Sequence, residues 1–220
     1  MWRCLTLIYV LALPVAADAG AWLREEGTGF ASAAARLSWP AENISGEPSQ
    51  YYTLYAEYGL RPNLTMGVDL GRSVSGGSKT LAFARIPLWT PDNGHRLAAE
   101  LGAGVIEGRS TLRPGILYGY GFSTGRFAGW ISVDTQAEWS VVTGATDFKL
   151  DMTMGLNRPS GAKWIAQVQT GAPDGEDRFA RLAPSYVTPI GKGRYLELGM
   201  TWGVAGDNSA GILLGMWQEF

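Results

Sequence analysis

The last ten residues, Gly211-Ile-Leu-Leu-Gly-Met-Trp-Gln-Glu-Phe220, alternate between two faces. Ile212, Leu214, Met216 and Phe220 share one parity, and Gly211, Gly215 and Glu219 share the other, joined by Leu213 and Trp217. A period of two places alternate side chains on opposite sides of an extended chain, so this stretch is a two-faced strand and not a helix. The pattern recurs upstream. Tyr52, Leu54, Ala56, Tyr58 and Leu60 alternate with Thr53, Tyr55, Glu57 and Gly59, and Leu64, Met66, Val68 and Leu70 with Thr65, Gly67, Asp69 and Gly71. Turn signals such as Arg61-Pro62-Asn63 and Pro91-Asp92-Asn93-Gly94 separate the segments. No apolar run approaches the roughly 18–20 residues of a membrane helix. Twelve segments follow from Gly29 onward, and an even number returns both termini to the same side, as closure of an up-and-down barrel requires. Between ten and fourteen strands fit the spacing. The longer connections are expected outside and the compact ones on the periplasmic side.

The placement of charge is the test of two-facedness. At mid-membrane a charged side chain on the lipid face costs roughly 2–4 kcal/mol, so a lipid-facing parity must be free of charge. Strands with several charges test this independently of any chosen register. Arg96 and Glu100 agree in parity, as do Asp134 and Glu138, and as do Asp147, Lys149 and Asp151. In each case the other parity is apolar, through Leu97 and Leu101, Ile131 and Val133, and Phe148, Leu150 and Met152. The inward set expected to line the lumen is Arg85, Arg96, Glu100, Arg113, Asp134, Glu138, Asp147, Lys149 and Asp151. A soluble β-sandwich with an apolar core gives the same alternation. Aromatics near strand ends favour a membrane barrel, and Trp39, Tyr51, Tyr52, Trp89, Trp130, Trp164 and Tyr195 are expected in an interfacial girdle.

Residues 1–19 read as a secretory signal peptide, with Arg3 ahead of an apolar run from Leu5 to Val15. Small residues then allow cleavage after Ala17 or after Ala19. Cys4 is the one cysteine of the chain and falls in this leader, so the expected mature barrel, residues 20–220, contains no disulfide.

The terminal pattern of Ile212, Leu214, Met216 and Phe220 resembles the C-terminal strand of bacterial outer-membrane β-barrels, in which a terminal Phe is the insertion signal read by the barrel-assembly machinery. That resemblance implies an antiparallel up-and-down transmembrane β-barrel, exported through the periplasm to the bacterial outer membrane. Its partners would be outer-membrane lipid, lipopolysaccharide and, during insertion, the assembly machinery. In general layout the mature chain is also weakly similar to the barrels of aromatic-compound uptake.

Little in the sequence suggests catalysis. Ser/His/acid hydrolysis needs an imidazole beside the nucleophile, and the single histidine, His95, falls in a periplasmic turn where it is expected to be solvated. With no mature cysteine and no paired histidines, a metal site is not expected. Gly102-Ala-Gly104 and Gly119-Tyr-Gly121 precede no helix, so they read as small lumen residues that leave interior space, and not as a dinucleotide fingerprint. Neither a cofactor nor a nucleic-acid partner is expected. The expected function is a narrow passive channel for small polar solutes. With Glu100 and Lys149 as exceptions, Arg85, Arg96 and Arg113 would form a basic stripe beside an acidic one from Asp134, Glu138, Asp147 and Asp151. Two alternatives are a closed structural or adhesion barrel with interior salt bridges, and a soluble secreted β-sandwich binding module.

Overall fold

The computed structural model describes residues 20–125 and 127–220. The leader read over residues 1–19 and both of its cleavage points lie outside the described residues. The elements are β1 (Gly29–Pro40), β2 (Ser49–Arg61), β3 (Leu64–Ser73), β4 (Ser78–Trp89), β5 (His95–Ile106), β6 (Arg109–Thr124) and β7 (Phe127–Ser140). They continue as β8 (Thr146–Asn157), β9 (Lys163–Ala172), β10 (Phe179–Leu182), β11 (Ser185–Gly191), β12 (Arg194–Ala205) and β13 (Ser209–Glu219).

Each strand pairs antiparallel with its neighbours, and β13 pairs with β1 from Phe30–Glu219 to Pro40–Ser209. The main chain of Phe220 completes the seam, exchanging hydrogen bonds with Gly29 at 2.6 and 3.0 Å. The sheet therefore closes on itself and has no free edge. This excludes the β-sandwich alternative, which needs two stacked sheets.

The segment expected as one strand from Phe179 to Ile190 is two. β10 and β11 both lie between β9 and β12 and are divided at Ala183-Pro184. Proline has no N–H for the ladder. Ala183 keeps its bonds to Gln167 on one side, and the Pro184 carbonyl accepts from the Met200 N–H on the other. Among the described residues, thirteen segments, two of them halves of one stave, make a barrel of twelve.

The two faces fall as the charges require. Leu101, Met152, Met154, Leu198, Met200, Ile212, Leu214 and Met216 are exposed on the outside, while Glu57, Arg85, Glu100, Arg113, Glu138 and Lys163 are buried inside. A continuous apolar exterior of this extent is a surface made for hydrocarbon and not for water. Trp39, Tyr52, Trp89 and Trp164 stand on the outward parity near strand ends, as a girdle needs.

Three girdle assignments are corrected. Trp130 is 3% exposed on the inner face of β7, Tyr51 packs inward with its hydroxyl against Gly71, and Tyr195 points inward to donate to Glu219 at 3.3 Å. Aromatics near a barrel rim can fill its mouth as readily as they can meet the interface, and position along the strand does not separate the two. His95 is corrected as well. It is part-buried in the rim, with Nδ1 2.7 Å from the Tyr118 hydroxyl and its ring stacked 4.5 Å from Tyr120.

Candidate lumen site

The lumen is not empty. Ahead of β1, residues 20–28 turn into the barrel from its periplasmic end. Gly27 and Gly59 bond this segment to the end of β2, and Thr28 closes a tight turn on the Glu25 carbonyl. Beyond that turn the chain lies inside. Ala21 packs with Ala98 and Leu117 in a small apolar cluster, flanked by Trp22 and Leu23. The Trp22 ring occupies the space over Gly119, where a Cβ would collide with it, and it also reaches Gly121. The interior room anticipated at these glycines is thus taken up by the chain's own N-terminal segment.

Ion pairs hold the segment. The Arg24 main-chain N–H donates to Thr65 Oγ1 at 2.9 Å, and its guanidinium meets Glu57 at 2.6 Å. Arg85 binds Glu57 at 3.1 Å and Glu100 at 2.8 Å, and it donates to the Trp22 carbonyl at 3.4 Å. Arg113 joins Glu100 at 3.3 Å and Asp69 at 2.5 Å, and Lys79 binds Asp69 at 2.8 Å. Tyr55 donates to Glu57, and Gln136 donates to Glu100. One wall of the lumen, from β2 to β6, is therefore a continuous network in which cations and carboxylates compensate each other. Such a network is stabilising only while its members remain paired, because an isolated buried charge is costly.

The inward residues expected from the sequence divide into groups. Arg85, Glu100 and Arg113 form the centre of this network. Arg96 faces inward at the rim, where it donates to the Pro91 and His95 carbonyls at 2.8 and 2.7 Å and fixes the turn. Glu138 pairs with Lys149 at 2.7 Å. Asp147 lies near the outer rim and accepts from the Asp174 N–H at 2.8 Å. Asp134 and Asp151 stand opposite each other on β7 and β8. The structure thus places Arg85 and Arg113 inside salt bridges, and the two stripes are not separate rows of free charge.

Beside the paired wall lies a cavity of about 390 Å³. Its far side carries Ser32, Arg36, Gln167, Gln169 and Thr201. Gln167 and Gln169 bond each other at 2.6 Å, and Gln167 donates to Thr153 at 3.0 Å. Sequence reasoning missed this amide and hydroxyl side, since uncharged polar residues carry no parity signal as strong as a charge. It also missed the N-terminal segment. The available clue was a charged stretch, Arg24-Glu-Glu26, between the leader and the first strand, opposite a column of inward glycines.

No protein-family model matches the chain, and no curated protein matches it. Among solved structures, the KdgM porin aligns with a TM-score of 0.63 at 6% identity, covering 86% of this chain and 99% of the porin. The NanC porin aligns at 0.61 and 8% identity, covering 84% and 98%. The COG4313 outer membrane channel from Pseudomonas putida F1 aligns at 0.57 and 10% identity, covering 92% and 99%. At such identities the likeness establishes the shared barrel fold.

Proposed function

We propose that this protein is a narrow passive channel of the bacterial outer membrane for small polar solutes, partly closed by its own N-terminal segment. The observation that carries the reading is the cavity beside that segment. Amides, hydroxyls and Arg36 line one side of it, alongside Phe30, Trp130, Ile165 and Trp217, within a barrel whose exterior is apolar. The amide and hydroxyl side of this lining can exchange hydrogen bonds with a hydrated solute. The porins that share the fold agree with this, and one of them is described in complex with oligogalacturonate, a polar carbohydrate. The same reading has Phe220 recognised by the assembly machinery and the outer rim set among lipopolysaccharide.

A second reading, a closed structural barrel, is favoured by the salt-bridged wall. Planar-bilayer conductance separates the two. Deleting residues 20–28 removes Trp22 and Arg24 while leaving every strand intact, so the shortened protein is expected to conduct several times more than the full mature chain. Absence of current from both proteins across salts and voltages would favour the closed barrel.

A further inference from the structure

Asp134 is the carboxylate that the network leaves out. Arg85 is committed to Glu57 and Glu100, and Lys149 to Glu138. Asp134 Oδ1 is buried without a hydrogen-bond partner, and the residue directly across the ladder is a second acid, Asp151. Two carboxylates facing each other inside a barrel repel when both are ionised, and a cation between them relieves that repulsion. The group that lies against Asp134 is the main chain of Gly20. A Cβ on Gly20 would overlap the carboxylate, and its φ of +66° suits glycine alone. The two small residues after which the leader can be cleaved, Ala17 and Ala19, come just before it in the chain.

We propose that the leader is removed after Ala19 and that the new α-ammonium of Gly20 is the missing cation, ion-paired inside the lumen with Asp134. Hydrolysis of the Ala19–Gly20 peptide bond by water gives a carboxylate on the leaving leader and an amine on Gly20, which is protonated at neutral pH. Cleavage after Ala17 would also free an α-ammonium, but on Asp18, whose own carboxylate offsets that charge. Cleavage after Ala19 supplies the ammonium with no accompanying carboxylate. Leader removal and seating of the N-terminal segment are then coupled, because processing adds a second anchoring charge to that of Arg24. The inference rests on the folded position of Gly20 and holds whether or not the barrel conducts.

The test uses protein purified from outer membranes. N-terminal sequencing is expected to start at Gly20, and a start at Asp18 or a retained leader would overturn the proposal. Labelling with an amine-selective reagent near pH 7 is expected to modify the Gly20 amine about tenfold more slowly in the folded barrel than in the heat-unfolded chain, as loss of a charge-assisted bond worth about 1.4 kcal/mol implies. Asp134→Asn is expected to abolish that protection while heat-modifiable gel migration shows the barrel intact. Equal labelling of folded and unfolded wild-type protein would overturn the pairing, as would undiminished protection in a folded Asp134→Asn barrel. If that variant does not fold, the sequencing and wild-type labelling decide.

Discussion

At the scale of single residues, burial decides which charges matter. Arg85 is 3% exposed and bridges Glu57 and Glu100, so Arg85→Met leaves two buried carboxylates without their shared cation. The expected loss is about 3–5 kcal/mol in urea unfolding of the barrel in detergent. Arg109 forms an ion pair of the same type with Glu107, but both side chains are well exposed. Solvent screening reduces such a pair to about 0–1 kcal/mol, so Arg109→Ala is expected to leave the transition in place. The same titration checks both variants. Gly119 is a residue of a different kind, since any side chain there displaces the Trp22 ring. Gly119→Val is expected to raise conductance towards that of the protein lacking residues 20–28, with heat-modifiable migration unchanged. A valine barrel that conducts like the wild type would show that Trp22 does not obstruct the path.

Among the strands, the governing fact is that neighbouring residues meet different solvents. Leu198, in the middle of β12, is half exposed on the outside, whereas Glu197 points inward and accepts from Trp217 Nε1 at 2.9 Å. Leu198→Arg is therefore expected to destabilise the barrel by about 2–4 kcal/mol in lipid vesicles. The penalty should largely vanish in urea titrations of detergent-solubilised protein with its mobile, water-accessible micelle. This two-solvent rule made β2, β5, β8 and β12 legible in the sequence, because every inward charge and outward leucine or methionine reports the same register. It fails where the side chain has no strong preference. Trp130, Tyr51 and Tyr195 were assigned to the girdle, although each faces the lumen, since an aromatic near a rim is tolerated on either parity. The break at Pro184 was visible as a proline but not as a division of the strand, because the ladder partners Gln167 and Met200 are far away in sequence. Beyond the charges of Arg24-Glu-Glu26, the seating of the N-terminal segment was illegible for the same reason. Nothing periodic marks Trp22, Leu23 and Arg24, and their positions follow from Gly119, Glu57 and Thr65, brought together only by closure.

For the molecule as a whole, the last residue joins two roles that an experiment can separate. Phe220 closes the seam through its main chain, which bonds Gly29 in both directions, while its ring is 62% exposed. An alanine at this position keeps both backbone bonds and removes only exposed apolar area and the ring lying beside Gly29. The finished barrel should therefore be indifferent to the change. Denatured Phe220→Ala protein refolded into detergent is expected to show wild-type heat-modifiable migration and a urea midpoint that is nearly unchanged, since surface substitutions of this kind usually shift stability by about 0.5 kcal/mol or less. Assembly in cells is the opposite case, because recognition acts on the unfolded chain before the seam exists. If the terminal phenylalanine is a signal, the variant should accumulate in the periplasm and be depleted from the outer-membrane fraction. Equal outer-membrane yield of variant and wild type would remove the signalling role, whereas loss of stability in vitro would place the role of the ring in the closed seam itself.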